Sequence, residues 1–176
     1  MSKEKKIDMV ILGLLSHEDL TGYDIKKRID GAISFFWKGS FGNIYPSLKD
    51  LEAGKLIIKT SEAKEGREKI VYSITDEGRK TLAKWLRDDQ AANELRYETL
   101  LKLFFGGAAD KKTAKKNIEV FEKKIREDLE TLKGYAKVLE PRKDDDHLYY
   151  YLTVTFGIDT YEAYLKWCDK AGKMLG

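Results

Sequence analysis

Near the start of the chain Ile7, Val10, Ile11, Leu14 and Leu15 recur at helical spacing, and the polar run Ser16-His17-Glu18-Asp19 then interrupts them. This predicts a first helix that ends there. Thr21 followed by Asp24 has the spacing of a capping box with Asp in place of Glu, and Ile25, Ile29 and Ile33 then lie on one face. A second helix is expected to run from that cap into the aromatic segment Phe35-Phe36-Trp37. Ile44, Leu48 and Leu51 mark the stripe of a third helix, with Asn43, Tyr45, Ser47 and Lys49 off it on a polar face and Gly54 closing it. Pro46 would break a helix interior, but in a first turn its missing N–H is harmless, so this helix is expected to begin between Gly42 and Ile44.

The pattern then changes period. Leu56 to Thr60 and Ile70 to Ile74 are β-branched and partly alternating, and the charged stretch between them contains Gly66, which predicts a hairpin with a charged tip. Thr75 offers an N-cap for a fourth helix with Leu82, Trp85 and Leu86 on its buried face. A boundary is expected in Asp88 to Asn93, after which Leu95, Leu100, Leu103 and Phe104 form a short amphipathic helix stopped at Gly106-Gly107. From Asp110 the stripe Ile118, Phe121, Ile125, Leu129, Leu132, Ala136 and Leu139 predicts one long helix before Pro141. Asp144, Asp145 and Asp146 introduce a last helix to about Met174, apolar or aromatic on most faces between His147 and Cys168.

A helix apolar nearly all round needs cover on more than one side. The 110–140 helix offers only one apolar stripe, so a second copy of the chain is expected to supply the rest, unless the helix at 94–105 builds a larger core within the chain. The fold class read from these elements is mainly α with a small β-hairpin. Its domains are an N-terminal winged helix-turn-helix over residues 1–90 and a C-terminal helical dimerisation domain over 91–176.

Composition narrows the function. With 42% hydrophobic and 36% charged residues the chain can build a core, and 33 basic against 30 acidic side chains leave a net charge of only +3. The longest apolar run falls short of the ~20 residues of a bilayer span, and Cys168 is the single cysteine, so a soluble protein of the reducing cytoplasm without disulfides is expected. His17 and His147 lie far apart, Cys168 has no adjacent His, and no phosphate-binding glycine loop or H-E-x-x-H motif is present. No enzyme activity, metal or cofactor is expected. Cys168 reads as a small core residue.

Three helices followed by a hairpin is the winged helix-turn-helix order, in which the third helix can enter a major groove and the hairpin tip can reach flanking backbone or minor groove. The motifs go further. I-L-G-L-L at Ile11 to Leu15, T-G-Y-D-I at Thr21 to Ile25, F-W at Phe36-Trp37 and G-N-I-Y-P-S-L-K-D-L-E-A-G-K-L-I at Gly42 to Ile57 closely resemble the PadR family of bacterial transcriptional regulators. So do G-R-E-K at Gly66 to Lys69, Tyr72 and I-T-D-E-G at Ile74 to Gly78. F-G-I at Phe156 to Ile158, followed by Trp167, is similar to the longer, two-domain members.

The resemblance implies a dimeric DNA-binding regulator, usually a repressor, released by a small molecule or stress signal. It suggests Ser40, Asn43, Tyr45 and Ser47 as groove or phosphate contacts, with Lys49 against the backbone. The same residues qualify chemically, since Asn can pair with an adenine edge while Ser and Tyr hydroxyls bind phosphates; Tyr45 could instead pack beside Pro46. In the wing, Lys64, Arg67 and Lys69 could neutralise phosphates, although Glu62, Glu65 and Glu68 interleave with them, and a solvated tip is the other reading.

Members of the family bind planar aromatic or phenolic compounds near the dimer interface or between domains, which makes Trp37, His147 and Tyr151 candidate effector contacts. Tyr149, Leu152, Phe156, Tyr164 and Trp167 are the expected dimer interface, core packing being the other role for such aromatics. The expected partners are thus a double-stranded operator, a second copy of the chain and a small aromatic effector, with no membrane. A winged helix that docks a protein rather than DNA is the alternative.

Overall fold

The computed structural model describes residues 5–37, 44–64, 67–89, 91, 93, 96–139 and 145–176, without the side chains of 5, 62–64, 67–68 and 145. The chain divides into two units, 1–93 and 94–176. It is mostly helical, with one small three-stranded antiparallel sheet.

In the first unit α1 (Lys5–Leu15) is followed by β1 (Leu20–Thr21), α2 (Gly22–Asp30), a 3-10 turn (Ala32–Phe35), α3 (Ile44–Ala53), the hairpin β2 (Ile57–Lys64) and β3 (Arg67–Ile74), and α4 (Asp76–Leu86). Thr21 caps α2 as its spacing predicts: its hydroxyl accepts from the Asp24 amide at 3.1 Å and donates to the Asp24 carboxylate at 2.7 Å. The helix stops at Asp30, so Ile33 lies in the 3-10 turn and not on the α2 stripe. The break falls at Gly31, the residue with the lowest helix propensity in that stretch.

The sheet order is β1-β3-β2, and β1 was not expected. It is two residues long and exists through pairing of Leu20 with Tyr72 and Thr21 with Val71. Met9, Ile11, Leu12, Leu15, Leu20, Ile25, Ile29, Ile44, Leu48, Leu51 and Ile57 form one core, drawn from three helices and two strands. Burying this many large aliphatics, at about 1.5–3 kcal/mol each before chain entropy, is what fixes α3 against α1 and α2.

The end of α3 sets where the hairpin leaves. Lys55, at φ 57°, and not Gly54 adopts the left-handed conformation. The Leu56 amide donates to the Leu51 carbonyl at 2.9 Å and the Lys55 amide to that of Glu52 at 2.9 Å, a Schellman pair. At the other end of the hairpin the Thr75 hydroxyl accepts from the Gly78 amide at 3.0 Å, and the Thr75 amide donates to the Leu56 carbonyl at 3.0 Å. The start of α4 is thereby tied to the base of β2.

The second unit contains α5 (Glu98–Phe104), α6 (Lys111–Leu139) and α7 (Asp145–Leu175). α6 and α7 run antiparallel: the Lys115 ammonium donates to the Gly176 carbonyl at 3.0 Å, and Lys133 pairs with Glu162 at 3.3 Å. Ala114, Ile118, Ile125, Leu129 and Leu132 of α6 are buried where it packs on α7, as are Tyr161 and Cys168 of α7. Gly157 admits the Leu132 side chain, which lies 2.9 Å from where a Cβ would stand, so the close approach it allows is to the chain's own α6. Among the described residues no helix is long and apolar enough to cross a membrane.

Candidate nucleic-acid interface

The third helix presents two unlike faces. Ile44, Ser47, Leu48 and Leu51 are buried, whereas Tyr45, Lys49, Asp50 and Glu52 are exposed. Ser47 is a correction to the expected polar face, being only 7% exposed. Its spacing explains this: 44, 47, 48 and 51 form the regular i, i+3, i+4, i+7 face of a core-facing helix, and a small hydroxyl residue fits there without appearing in the hydrophobic pattern. Tyr45 and Lys49 are one turn apart and share the outward face, with Tyr45 63% exposed. Pro46 sits in the first turn, as its chemistry requires. Ser40 and Asn43 lie outside the described residues.

One ring edge of Tyr45 lies over Gly22. A Cβ at Gly22, the first residue of α2, would stand 3.0 Å from Tyr45 Cε1 and 3.6 Å from Cζ. Behind it, the Tyr72 phenol is pushed above its ordinary value by burial first and then by the Glu52 carboxylate and Tyr45. Asp50 and Glu52 keep the rear of the outward face acidic, so its useful donors are concentrated in the first turn and a half, at Tyr45 and Lys49.

The ladder sorts the wing charges by face. Glu62 pairs with Lys69 and Lys64 with Arg67, and directly paired positions share a face, as do positions two apart. By backbone register, positions 62, 64, 67 and 69 therefore share one face, while Ala63 pairs with Glu68 on the other. Lys69 is exposed.

The candidate effector residues divide between the units. Trp37, half-buried, belongs to the first, where the Lys6 ammonium stands 4.9 Å from the centroid of its ring. His147 and Tyr151 are half-buried one turn apart on α7, and the His147 ring meets Tyr150 edge-on at 6.3 Å.

The expected dimer residues also fall into two groups. Tyr149, Leu152 and Phe156 form an exposed stripe on α7, Phe156 being 70% exposed. Tyr164 and Trp167 are half-buried and meet a ring of the same chain: Phe121 lies 6.0 Å from Tyr164 and 6.4 Å from Trp167, centroid to centroid. Tyr97 completes this cluster, edge-on to Tyr164 at 5.5 Å with the two hydroxyls hydrogen-bonded. Burial and that bond push the Tyr97 phenol far up. The sequence pattern does not single out Tyr97, because its partner is 67 residues away.

Cys168, 1% exposed, is a core residue whose thiol is pushed up by burial and then by Glu122. It lies at an open cleft of about 490 Å³ between α6 and α7. The charged rim of that cleft is paired within each helix, Arg126 with Glu122 at 2.5 Å on α6 and Lys173 with Asp169 at 2.6 Å on α7. Among the described residues no group of three or more His, Cys, Asp or Glu is placed to hold a metal ion.

Comparison with known proteins gives two family matches. Residues 11–84 match the transcriptional regulator PadR-like family, and residues 95–176 match the virulence activator alpha C-terminal family. The chain is 29% identical over 172 residues to the negative transcriptional regulator PadR of Bacillus subtilis, covering 94% of each chain. Among solved structures it is similar to B. subtilis PadR in complex with operator DNA, with a TM-score of 0.84, 27% identity and coverage of 96% and 98%. It is also similar to the same protein in complex with p-coumaric acid, with a TM-score of 0.75, 27% identity and coverage of 96% and 98%.

Proposed function

The chain belongs to the PadR-like family of transcriptional regulators, two-domain members included, and from that membership we propose that it is a dimeric, sequence-specific DNA-binding repressor released by a small aromatic effector. The observation that carries the DNA-binding part is α3, whose outward face presents Tyr45 and Lys49 opposite a fully packed inner face. Such a helix is rigid enough to enter a major groove, with Tyr45 and Lys49 donating to phosphates and Asn43, Ser40 and the wing residues Lys64, Arg67 and Lys69 completing the contact set. The related Bacillus protein has been seen on operator DNA, which supports reading the same elements in this way. As a family of regulators, these proteins are not enzymes.

The exposed stripe of Tyr149, Leu152 and Phe156 supports dimerisation through α7. Two copies would set their third helices about one DNA turn, ~34 Å, apart. An effector that changes the packing around α7 would change that separation, and with it the fit to two half-sites. The p-coumaric acid complex of the Bacillus relative supports a phenolic effector class, with Trp37, His147 and Tyr151 as the contacts to test.

The test is competitive binding of the purified chain to a duplex from its own upstream region and to random duplex, at two salt concentrations, with and without phenolic acids. Selective binding that weakens with salt and is reversed by a phenolic acid is the expected result. A folded dimer that binds neither duplex would transfer the reading to a winged helix that docks a protein.

A further inference from the structure

Gly22 opens α2, and glycine is a poor helix former there. Its backbone does not need glycine: among the described residues only Lys55 and Gly176 have positive φ. Space explains it instead. Gly22 is buried although it sits at a helix start, and what covers it is the edge of an otherwise exposed tyrosine, with Tyr45 Cε1 at 3.0 Å, Cζ at 3.6 Å and Leu48 Cδ1 at 3.5 Å from a Cβ position. Helical Gly13, Gly134 and Gly172 have nothing within 4 Å of that position.

We infer that Gly22 is a positioning residue for Tyr45, its missing side chain letting the ring lie against the first turn of α2 so that the phenol is aimed at a DNA phosphate beside the paired starts of α2 and α3. This rests on the DNA-binding reading of α3 and adds a residue that touches no DNA itself. An exposed tyrosine has two free torsions, and ordering them on binding lowers affinity. The Cε1–Cζ edge lying over Gly22 limits the swing of the ring about χ1 on that side, and χ1 is the torsion that sets where the hydroxyl stands. A methyl at position 22 would displace that edge by a few tenths of an ångström, and the displacement grows toward the oxygen.

The experiment is a double-mutant cycle on the full chain with Gly22→Ala, Tyr45→Ala and both, read as dissociation constants for the operator duplex, with circular dichroism and thermal unfolding as controls. Gly22→Ala is expected to keep the helix content and melting temperature while weakening binding by roughly 5- to 30-fold, the scale of one phosphate hydrogen bond broken or bent. In the Tyr45→Ala background it should change affinity by less than about twofold. Equal binding by wild type and Gly22→Ala overturns the inference, and so does a Gly22→Ala loss that persists without Tyr45. A wild-type chain that binds no duplex at all is a different result, which refutes the DNA-binding reading itself. In that case a nuclear Overhauser contact between the Tyr45 ring and Gly22 Hα, retained in wild type and absent in Gly22→Leu, still decides whether Gly22 positions the ring.

Discussion

Gly78→Ala tests the junction that aims the wing. A Cβ at Gly78 would lie 2.2 Å from the Leu56 carbonyl oxygen and 2.8 Å from Ile74 Cγ1. The first neighbour is backbone, and that carbonyl already accepts from the Thr75 amide and hydroxyl, each at 3.0 Å. Relief requires α4 to move away from the hairpin base by about 1 Å, since an ordinary carbon–oxygen contact is about 3.3 Å or more. Such overpacking costs about 1–3 kcal/mol when flexible side chains can give, and a backbone neighbour places it at the top of that range. The shift also pulls the Gly78 amide off the Thr75 hydroxyl, adding about 1 kcal/mol for the broken cap, against about 1 kcal/mol gained from replacing glycine in a helix. The expected net loss is about 2–4 kcal/mol, or roughly 10–25 °C in melting temperature for a unit of this size. Thermal and urea unfolding by circular dichroism measure it, with Gly13→Ala as the control. Position 13 is also helical but open, so its alanine should stabilise by up to about 1 kcal/mol. If Gly78→Ala melts at or above wild type, the packing described at the α4–β2 junction is wrong.

Further outcomes follow from the same contacts. Lys55→Gly should stabilise the first unit by about 1 kcal/mol in urea unfolding, because it relieves a left-handed non-glycine residue while keeping both Schellman bonds. Phe156→Asp, at an exposed position on α7, should leave helix content unchanged and convert a micromolar dimer to monomer in sedimentation; a dimer that persists would remove α7 as the interface. Neutralising Lys64, Arg67 and Lys69 together should flatten the dependence of log affinity on log salt by about 0.9 for each phosphate that is no longer neutralised, and an unchanged slope would show the tip to be solvated only. Tyr97 carries a pH signature. Its phenol is pushed up in the folded chain, so the folded state holds a proton that the unfolded chain loses above the ordinary value of 10.0, and stability falls as pH rises through and beyond 10.0. Tyr97→Phe should lessen that alkaline loss in urea midpoints, and a midpoint profile identical to wild type would contradict the assigned proton.

Most of the helices and the hairpin were legible because each rests on a local period, but in α4 the period misplaces Trp85 and Leu86, expected on the buried face and 39% and 67% exposed. The features missed are those set by partners remote in sequence. β1 has no strand pattern of its own and is made by pairing with Tyr72 and Val71. The fourfold spacing of Ile25, Ile29 and Ile33 reads as one helix, yet Gly31 ends it two residues before the last of them. Ser47 is too small and too polar to register in a hydrophobic stripe, although its spacing from Ile44 and Leu51 places it inside. The outward face of α3 was read from Tyr45 and Lys49. The contact that disciplines Tyr45 was not, because Gly22 contributes by lacking a side chain. In the wing, sequence order shows alternating signs, and only the register of β2 against β3 brings positions 64, 67 and 69 to one face. Tyr164 and Trp167 were expected at the dimer interface with core packing as the other role, and both, half-buried, meet Phe121 within the chain.

The most direct measurement is the affinity of wild type and a Tyr45→Ala, Lys49→Ala variant for a duplex from the protein's own upstream region, against random duplex. Wild type is expected to bind selectively and with salt sensitivity, and the folded variant to bind more weakly by about 2–5 kcal/mol, since in the proposed dimer each phosphate hydrogen bond is removed from both protomers. Equal affinities of the two proteins for that duplex would contradict the claim that the outward face of α3 binds DNA.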